Sequence, residues 1–140
     1  MKGIHPTLLN DCLPVGRMRL CHVLLMLDAN YPWFILVPDR EDIEEIYQLS
    51  LEDQRQLMSE SSRIGQAIMH GFNGDKLNVA ALGNVVPQLH IHHIVRYHDD
   101  PAWPAPVWGK VATLPYADDS REQVITVLKQ VLGGDMEYRV

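Results

Sequence analysis

Apolar residues cluster along the chain in two distinct rhythms. Leu20-Cys21-His22-Val23-Leu24-Leu25-Met26-Leu27 is a short β-prone run, Asp28-Ala29-Asn30-Tyr31-Pro32 carries turn residues, and Trp33-Phe34-Ile35-Leu36-Val37-Pro38 is a second run, so this region predicts a hairpin. From Ser50 the period changes. Leu57, Ser61, Ile64 and Ile68 recur at helical spacing, Ser50-Leu51-Glu52-Asp53 resembles a capping box with Asp in place of Glu, and Gly71 is the expected terminator. Lys76 to Leu82 reads as a strand, Gly83-Asn84 as a turn or bulge, and Gln88 to Arg96 as a longer strand. Pro101, Pro104 and Pro106, beside Trp103, exclude a central strand from the segment 99–106, which is expected to be a surface loop. Asp119 or Ser120 is the expected cap of a last helix with Val124, Ile125, Val127, Leu128, Val131 and Leu132 apolar, ended by Gly133-Gly134. The expected class is α+β: an antiparallel sheet of about five strands, a long helix on one face and a C-terminal helix.

Length and charge narrow the possibilities. The 140 residues contain no internal repeat or low-complexity linker and are expected to form one domain spanning 1–140. Cys12 and Cys21 form no CxxC pattern, and the N-terminus lacks an apolar leader segment. The longest apolar run, Val23 to Leu27, is far shorter than the roughly 20 residues that span a bilayer, so a soluble cytoplasmic protein without a membrane partner is expected. The formal net charge of -6, without a Lys/Arg cluster, excludes the usual footprint for polymeric nucleic acid. A small phosphorylated ligand remains allowed, because one local group of donors holds a phosphate whatever the net charge.

The strand expected at Gln88-Leu89-His90-Ile91-His92-His93-Ile94-Val95 carries the candidate chemistry. A period of two puts Gln88, His90 and His92 on one face and Leu89, Ile91, His93 and Val95 on the other. Histidine titrates near neutrality, so the polar strip is able to supply a nucleophile, a proton donor or metal ligands. If the apolar side faces the long helix, His90 and His92 face away from that core, and His93 becomes a core or edge histidine.

This motif and its flanks resemble the histidine triad family of nucleotidyl hydrolases and transferases, whose signature is His-x-His-x-His followed by two apolar residues on a strand. Trp33 to Pro38 is similar to the family's apolar strand ending in proline, Leu51 to Gly71 to its long helix, and Gly83-Asn84 to the turn ahead of the motif. The likeness runs from about residue 20 to residue 110. It implies that His90 is the nucleophile attacking an α-phosphate, and that His92 contacts the same phosphate and stabilises charge. It also implies that Asn84 contacts phosphate oxygens and that Asp28 holds ribose hydroxyls, in a turn where an ordinary structural aspartate is the competing reading. The implied protein is a nucleotide-binding enzyme without a cofactor, acting on nucleoside phosphoramidates or dinucleoside polyphosphates. It is expected to be a homodimer for which Met58, Ile64 and Met69 are available as apolar surface.

Two positions and one segment depart from that pattern. Gln88 replaces the first histidine, and an amide carries no proton near neutral pH. Trp33 stands where many relatives place a further histidine. The segment from Ala80 to Pro87 is short and apolar, so it offers few phosphate donors. Arg96 is a candidate for a second phosphate or a solvated strand-end cation, and Trp103 and Trp108 for stacking on a base or for loop contacts. Two other readings stay open: a nucleotide-binding module without turnover, and a metal site built from His90, His92 and His98.

Overall fold

The computed structural model describes residues 1–138. Its elements are α1 (Pro6–Asp11), β1 (Cys12–Arg17), β2 (Cys21–Met26), β3 (Trp33–Pro38), α2 (Leu51–Gly71), β4 (Lys76–Ala80), β5 (Ile91–Arg96), α3 (Asp118–Leu132) and the two-residue β6 (Glu137–Tyr138). The sheet runs β4-β5-β3-β2-β1-β6 with every pairing antiparallel, five full strands and a short edge. The expected hairpin is β2–β3, with Leu24 opposite Ile35.

Both faces of the sheet are covered. Cys21, Val23 and Leu25 of β2 and Phe34 and Leu36 of β3 meet Leu57, Ile64 and Ile68 of α2 in the larger core, which Leu128 and Leu132 of α3 complete. Alternate residues, Leu24, Trp33, Ile35, Val37 and Ile94, point to the opposite face and pack with Ile4, Leu8, Ala102 and Val107. That second core explains why β2 and β3 read as nearly continuous apolar runs rather than alternating ones. Ile64 is fully buried in the first core and is no surface residue, whereas Met58 and Leu51 stand exposed on α2.

Ser50 caps α2 by accepting from the Asp53 amide at 3.1 Å, but the Asp53 carboxylate grips Arg40 at 2.7 and 3.1 Å. An aspartate side chain thus closes a loop here in place of the reciprocal half of a capping box. Gly71 is the last residue of α2, yet the left-handed residue after it is Asn73, with φ 51°. Gly71 instead permits close approach of α3: a Cβ there would lie 2.9 Å from Val131 and 3.0 Å from Val127. α3 starts at Asp118 with Ala117 as its cap, so Asp119 sits in the first turn, where a carboxylate suits the helix dipole. Buried Glu60 of α2 accepts the amides of Leu20 and Cys21, each at 2.9 Å, and ties the helix to the start of β2. No helix among the described residues is long and apolar enough to cross a membrane.

The motif strand is shorter than its sequence pattern. β4 ends at Ala80 opposite His92, so residues 88–90 have no ladder partner there, and the Leu89 amide donates to the Ile43 carbonyl at 2.9 Å. β5 therefore begins at Ile91.

Candidate active site

His92 of β5 and His90, just ahead of it, lie on the face away from α2, with ring centroids 4.9 Å apart and planes at 70°. His90 Nδ1 lies 2.7 Å from the backbone oxygen of Gln88. A carbonyl only accepts, so Nδ1 carries a proton and, in the neutral ring, the lone pair lies on Nε2. His92 has the opposite tautomer. The indole N–H of Trp33 donates to His92 Nδ1 at 3.0 Å, and His92 Nε2–H donates to the Leu82 carbonyl at 3.1 Å. Burial, followed by repulsion between its cationic form and the neighbouring His90 ring, pushes the His92 pKa down to about 4 against the bond to Leu82, so His92 is neutral near pH 7.

A cavity of about 520 Å³ opens in front of both rings. Trp33 and Trp108 form an edge-to-face pair along its wall, centroids 5.7 Å apart, and Trp108 also meets the edge of His92 at 5.0 Å. Thr7, Leu8 and Asp11 of α1 close another side, and the lining contains no lysine or arginine among the described residues. A smaller cavity of about 140 Å³ reaches His90 from the side of the turn, lined by Asn84, Gln88, Glu44 and Glu45. Gly83 makes that turn possible, since a Cβ on it would stand 2.7 Å from the Val86 carbonyl and 3.5 Å from the His90 ring.

The residues singled out in the sequence divide between the site and the scaffold. His90, His92 and Asp28 line the larger cavity, and His90, Asn84 and Gln88 the smaller. Asp28 is buried, and its Oδ1 accepts from the Asn30 amide at 3.0 Å, Asn30 Nδ2 at 2.8 Å and the Leu114 amide at 3.2 Å; Oδ2 receives none of these three. The Gln88 side chain turns to the N-terminal segment, accepting from the His5 amide at 2.8 Å and donating to the Gly3 carbonyl at 2.7 Å. His93 is fully buried on the α2 side, with Nδ1 3.1 Å from the Ile91 carbonyl and Nε2 2.7 Å from the Ser61 hydroxyl.

Arg96 is placed against expectation. It is neither solvated nor in either cavity near His90: its side chain is 1% exposed and forms a two-point pair with Asp100 at 2.8 and 3.0 Å. It further donates to Asn78 Oδ1 at 2.7 Å and the Ala105 carbonyl at 2.8 Å, under the rings of Tyr31 and Trp103. Trp103 is thus a partner of Arg96, while Trp108 belongs to the cavity. His98 is exposed beside Asp75 and Trp103, and among the described residues no three His, Cys, Asp or Glu side chains are grouped to hold a metal ion. The cavity wall from α1 was missed in the sequence pattern. Pro6 directly after the capping His5 was the available signal, because proline is favoured at the first position of a helix.

A family model described as the HIT domain matches residues 9–99. A histidine triad protein from Marinobacter aquaeolei VT8 is similar in structure with a TM-score of 0.91 and 51% identity, covering 94% of this chain and 96% of its own. One from Bradyrhizobium japonicum has a TM-score of 0.89 at 45% identity, covering 91% of this chain and 95% of its own. A third, from Sinorhizobium meliloti 1021, has a TM-score of 0.90 at 36% identity, covering 92% of this chain and 96% of its own. No curated protein sequence matches the chain.

Proposed function

The chain belongs to the histidine triad family, and on that premise we propose that it is a nucleotidyl hydrolase or transferase whose nucleophile is His90. The observation that carries this reading is the fixed tautomer of His90: with Nδ1–H given to the Gln88 carbonyl, the Nε2 lone pair is free for phosphorus. Nε2 attacks the α-phosphate of a nucleoside phosphoramidate or dinucleoside polyphosphate. A P–Nε2 bond forms, the bond from phosphorus to the leaving group breaks with its electron pair going to that group, which takes a proton from solvent, and the 2.7 Å bond to Gln88 supports the positive charge on the ring. Water then attacks phosphorus and gives a proton back to solvent, the P–Nε2 bond breaks, and a nucleoside monophosphate leaves. Asp28 receives ribose hydroxyls at the cavity wall, and Asn84 serves the phosphate from the turn.

The test is mass spectrometry after brief mixing with a nucleoside phosphoramidate. A nucleotidyl adduct on His90 is expected, and full turnover by His90→Ala would exclude the assignment.

A second reading is favoured by one feature of the site. Both nitrogens of His92 are occupied and the Gln88 amide is engaged elsewhere, so neither supplies a proton to a leaving group. That reading is a binding module: calorimetry would show AMP or GMP binding, with no hydrolysis over long incubation. In either case we propose a homodimer joined across α2 and the edge strand β4, where Leu51, Met58 and Val79 are exposed. Light scattering on the purified protein reads this directly.

A further inference from the structure

We propose that Trp33 is a positioning residue, holding His92 as a neutral imidazole with its proton on Nε2 and its Nδ1 lone pair engaged, and so leaving His90 Nε2 as the one imidazole lone pair of the two rings not taken by a protein donor. This rests on the assignment of His90 as nucleophile. His92 lies between two partners of fixed polarity. The indole N–H of Trp33 only donates and the Leu82 carbonyl only accepts, so one neutral tautomer alone satisfies both, at 3.0 and 3.1 Å. Protonating Nδ1 would set an N–H against the indole N–H and break the first bond. Trp33 has little freedom to yield. It is 6% exposed, it packs edge-on to Tyr31 and Trp108, and its backbone pairs with Ile94 in the middle of the sheet.

The consequence is electrostatic. When His90 carries a nucleotidyl group its ring is cationic, and a second cation with its centroid 4.9 Å away would raise the energy of that state. Holding His92 neutral removes the repulsion and keeps its one N–H on the Leu82 carbonyl at the turn. The titratable groups around His92 are His90 and, across the strand, His93, with Asp11 and Asp28 on the walls of the same cavity. Trp33 from β3, Trp108 from the loop and Leu82 from the turn present no charge. The low pKa of His92 agrees with the same bonding pattern, although burial is its largest cause.

The test is the ¹⁵N spectrum of the histidine rings across pH 4 to 8, for wild type and Trp33→Phe, with the pH profile of phosphoramidate turnover beside it. In wild type His92 Nδ1 is expected to appear unprotonated and unchanged from pH 8 to 5. In Trp33→Phe the His92 tautomers mix and its titration moves up toward the ordinary range. In that variant kcat falls about tenfold, more at pH 6 than at pH 8, with KM within about twofold. A wild-type His92 with its proton on Nδ1, or titrating near the ordinary value, overturns the proposal even if the variant fails to fold. So does a Trp33→Phe protein with an unchanged tautomer and pH profile. The tautomer is read without any substrate, so absence of a His90 adduct would defeat the nucleophile assignment separately.

Discussion

Gln88 grips His90 through its backbone and the N-terminal segment through its side chain. Its carbonyl takes the His90 Nδ1 proton at 2.7 Å, while the amide bonds Gly3 and His5, just ahead of the helix that walls the cavity. Replacing the side chain leaves the carbonyl in place. Gln88→Ala should therefore loosen residues 3–11, seen as faster amide exchange there, and raise KM several-fold with kcat within about twofold. The two lost bonds are together worth about 1 to 3 kcal/mol. Gln88→His, which restores the family's usual residue type, should not raise kcat, because its ring would meet Gly3 and His5 rather than the phosphate. A gain of tenfold or more in Gln88→His would show that the missing imidazole limits the chemistry.

How far the sequence reached follows from the range of each signal. Periodicity located the β2–β3 hairpin, α2 and α3, since each spans enough residues to repeat its pattern. α1 and β1 escaped it: α1 is six residues long, and β1 carries Pro14 and Gly16 around a bulge. His90 and His92 were legible because alternation survives into the approach to β5. The destination of Gln88 was not, because it depends on where the N-terminus lies, more than eighty residues away in sequence. The buried placement of Arg96 was not legible for a similar reason. Its partner Asp100 is four residues on, but burial of both comes from Tyr31, Asn78 and the proline loop folding over them.

Asp28 anchors a loop through Oδ1, and its proposed ligand role is separable from that task. Its Oδ1 holds Asn30 and Leu114, a task that an amide oxygen also performs. Asp28→Asn is expected to keep the melting temperature while weakening nucleotide binding about tenfold, roughly 1.4 kcal/mol, because the charged acceptor for ribose hydroxyls is lost. Asp28→Ala should lose both properties. Calorimetric titration with AMP and thermal melts of the two variants check this, and equal affinity of Asp28→Asn and wild type would remove Asp28 from the ribose site.

Acid should destabilise the fold in a window set by His92 and His93. Burial is the largest cause for both and pushes each pKa from 6.5 down to about 4. As pH falls from 6.5 to 4 the unfolded chain takes up protons that the folded chain refuses, so unfolding gains and stability drops. The expected loss between pH 7 and pH 4.5 is on the order of 2 to 3 kcal/mol per histidine. Buried Asp100 adds nothing there: burial pushes its carboxyl up, but Arg96 and backbone amides hold it below 3.8, so its contribution disappears only at lower pH. Urea denaturation at the two pH values measures the loss. His93→Gln should halve it, and a flat response between pH 7 and 4.5 would contradict the neutral, buried state of both rings.

The Arg96–Asp100 pair sets the loop that carries Trp108. Both side chains are almost completely buried, and Asp100 accepts not only from Arg96 but from the amides of Tyr97, Ala102 and Trp103. Removing the arginine strands a carboxylate that has lost its counter-charge, which costs far more than the net worth of the pair, so Arg96→Met should destabilise by about 3 to 5 kcal/mol. Arg96→Lys should recover only part of this, since one ammonium cannot reach Asp100 at two points, Asn78 and Ala105 together. Asp100→Asn keeps an acceptor for the backbone amides and relieves the stranded charge, so the double variant Arg96→Met/Asp100→Asn should be more stable than Arg96→Met alone. Urea midpoints for wild type, Arg96→Met, Asp100→Asn and the double variant close the cycle. Limited proteolysis within residues 97–117 should follow the same order, because the pair holds that segment against β5 and β4. If Arg96→Met costs under about 1 kcal/mol, the loop is held by its apolar contacts at Ala102 and Val107, and the ion pair is incidental.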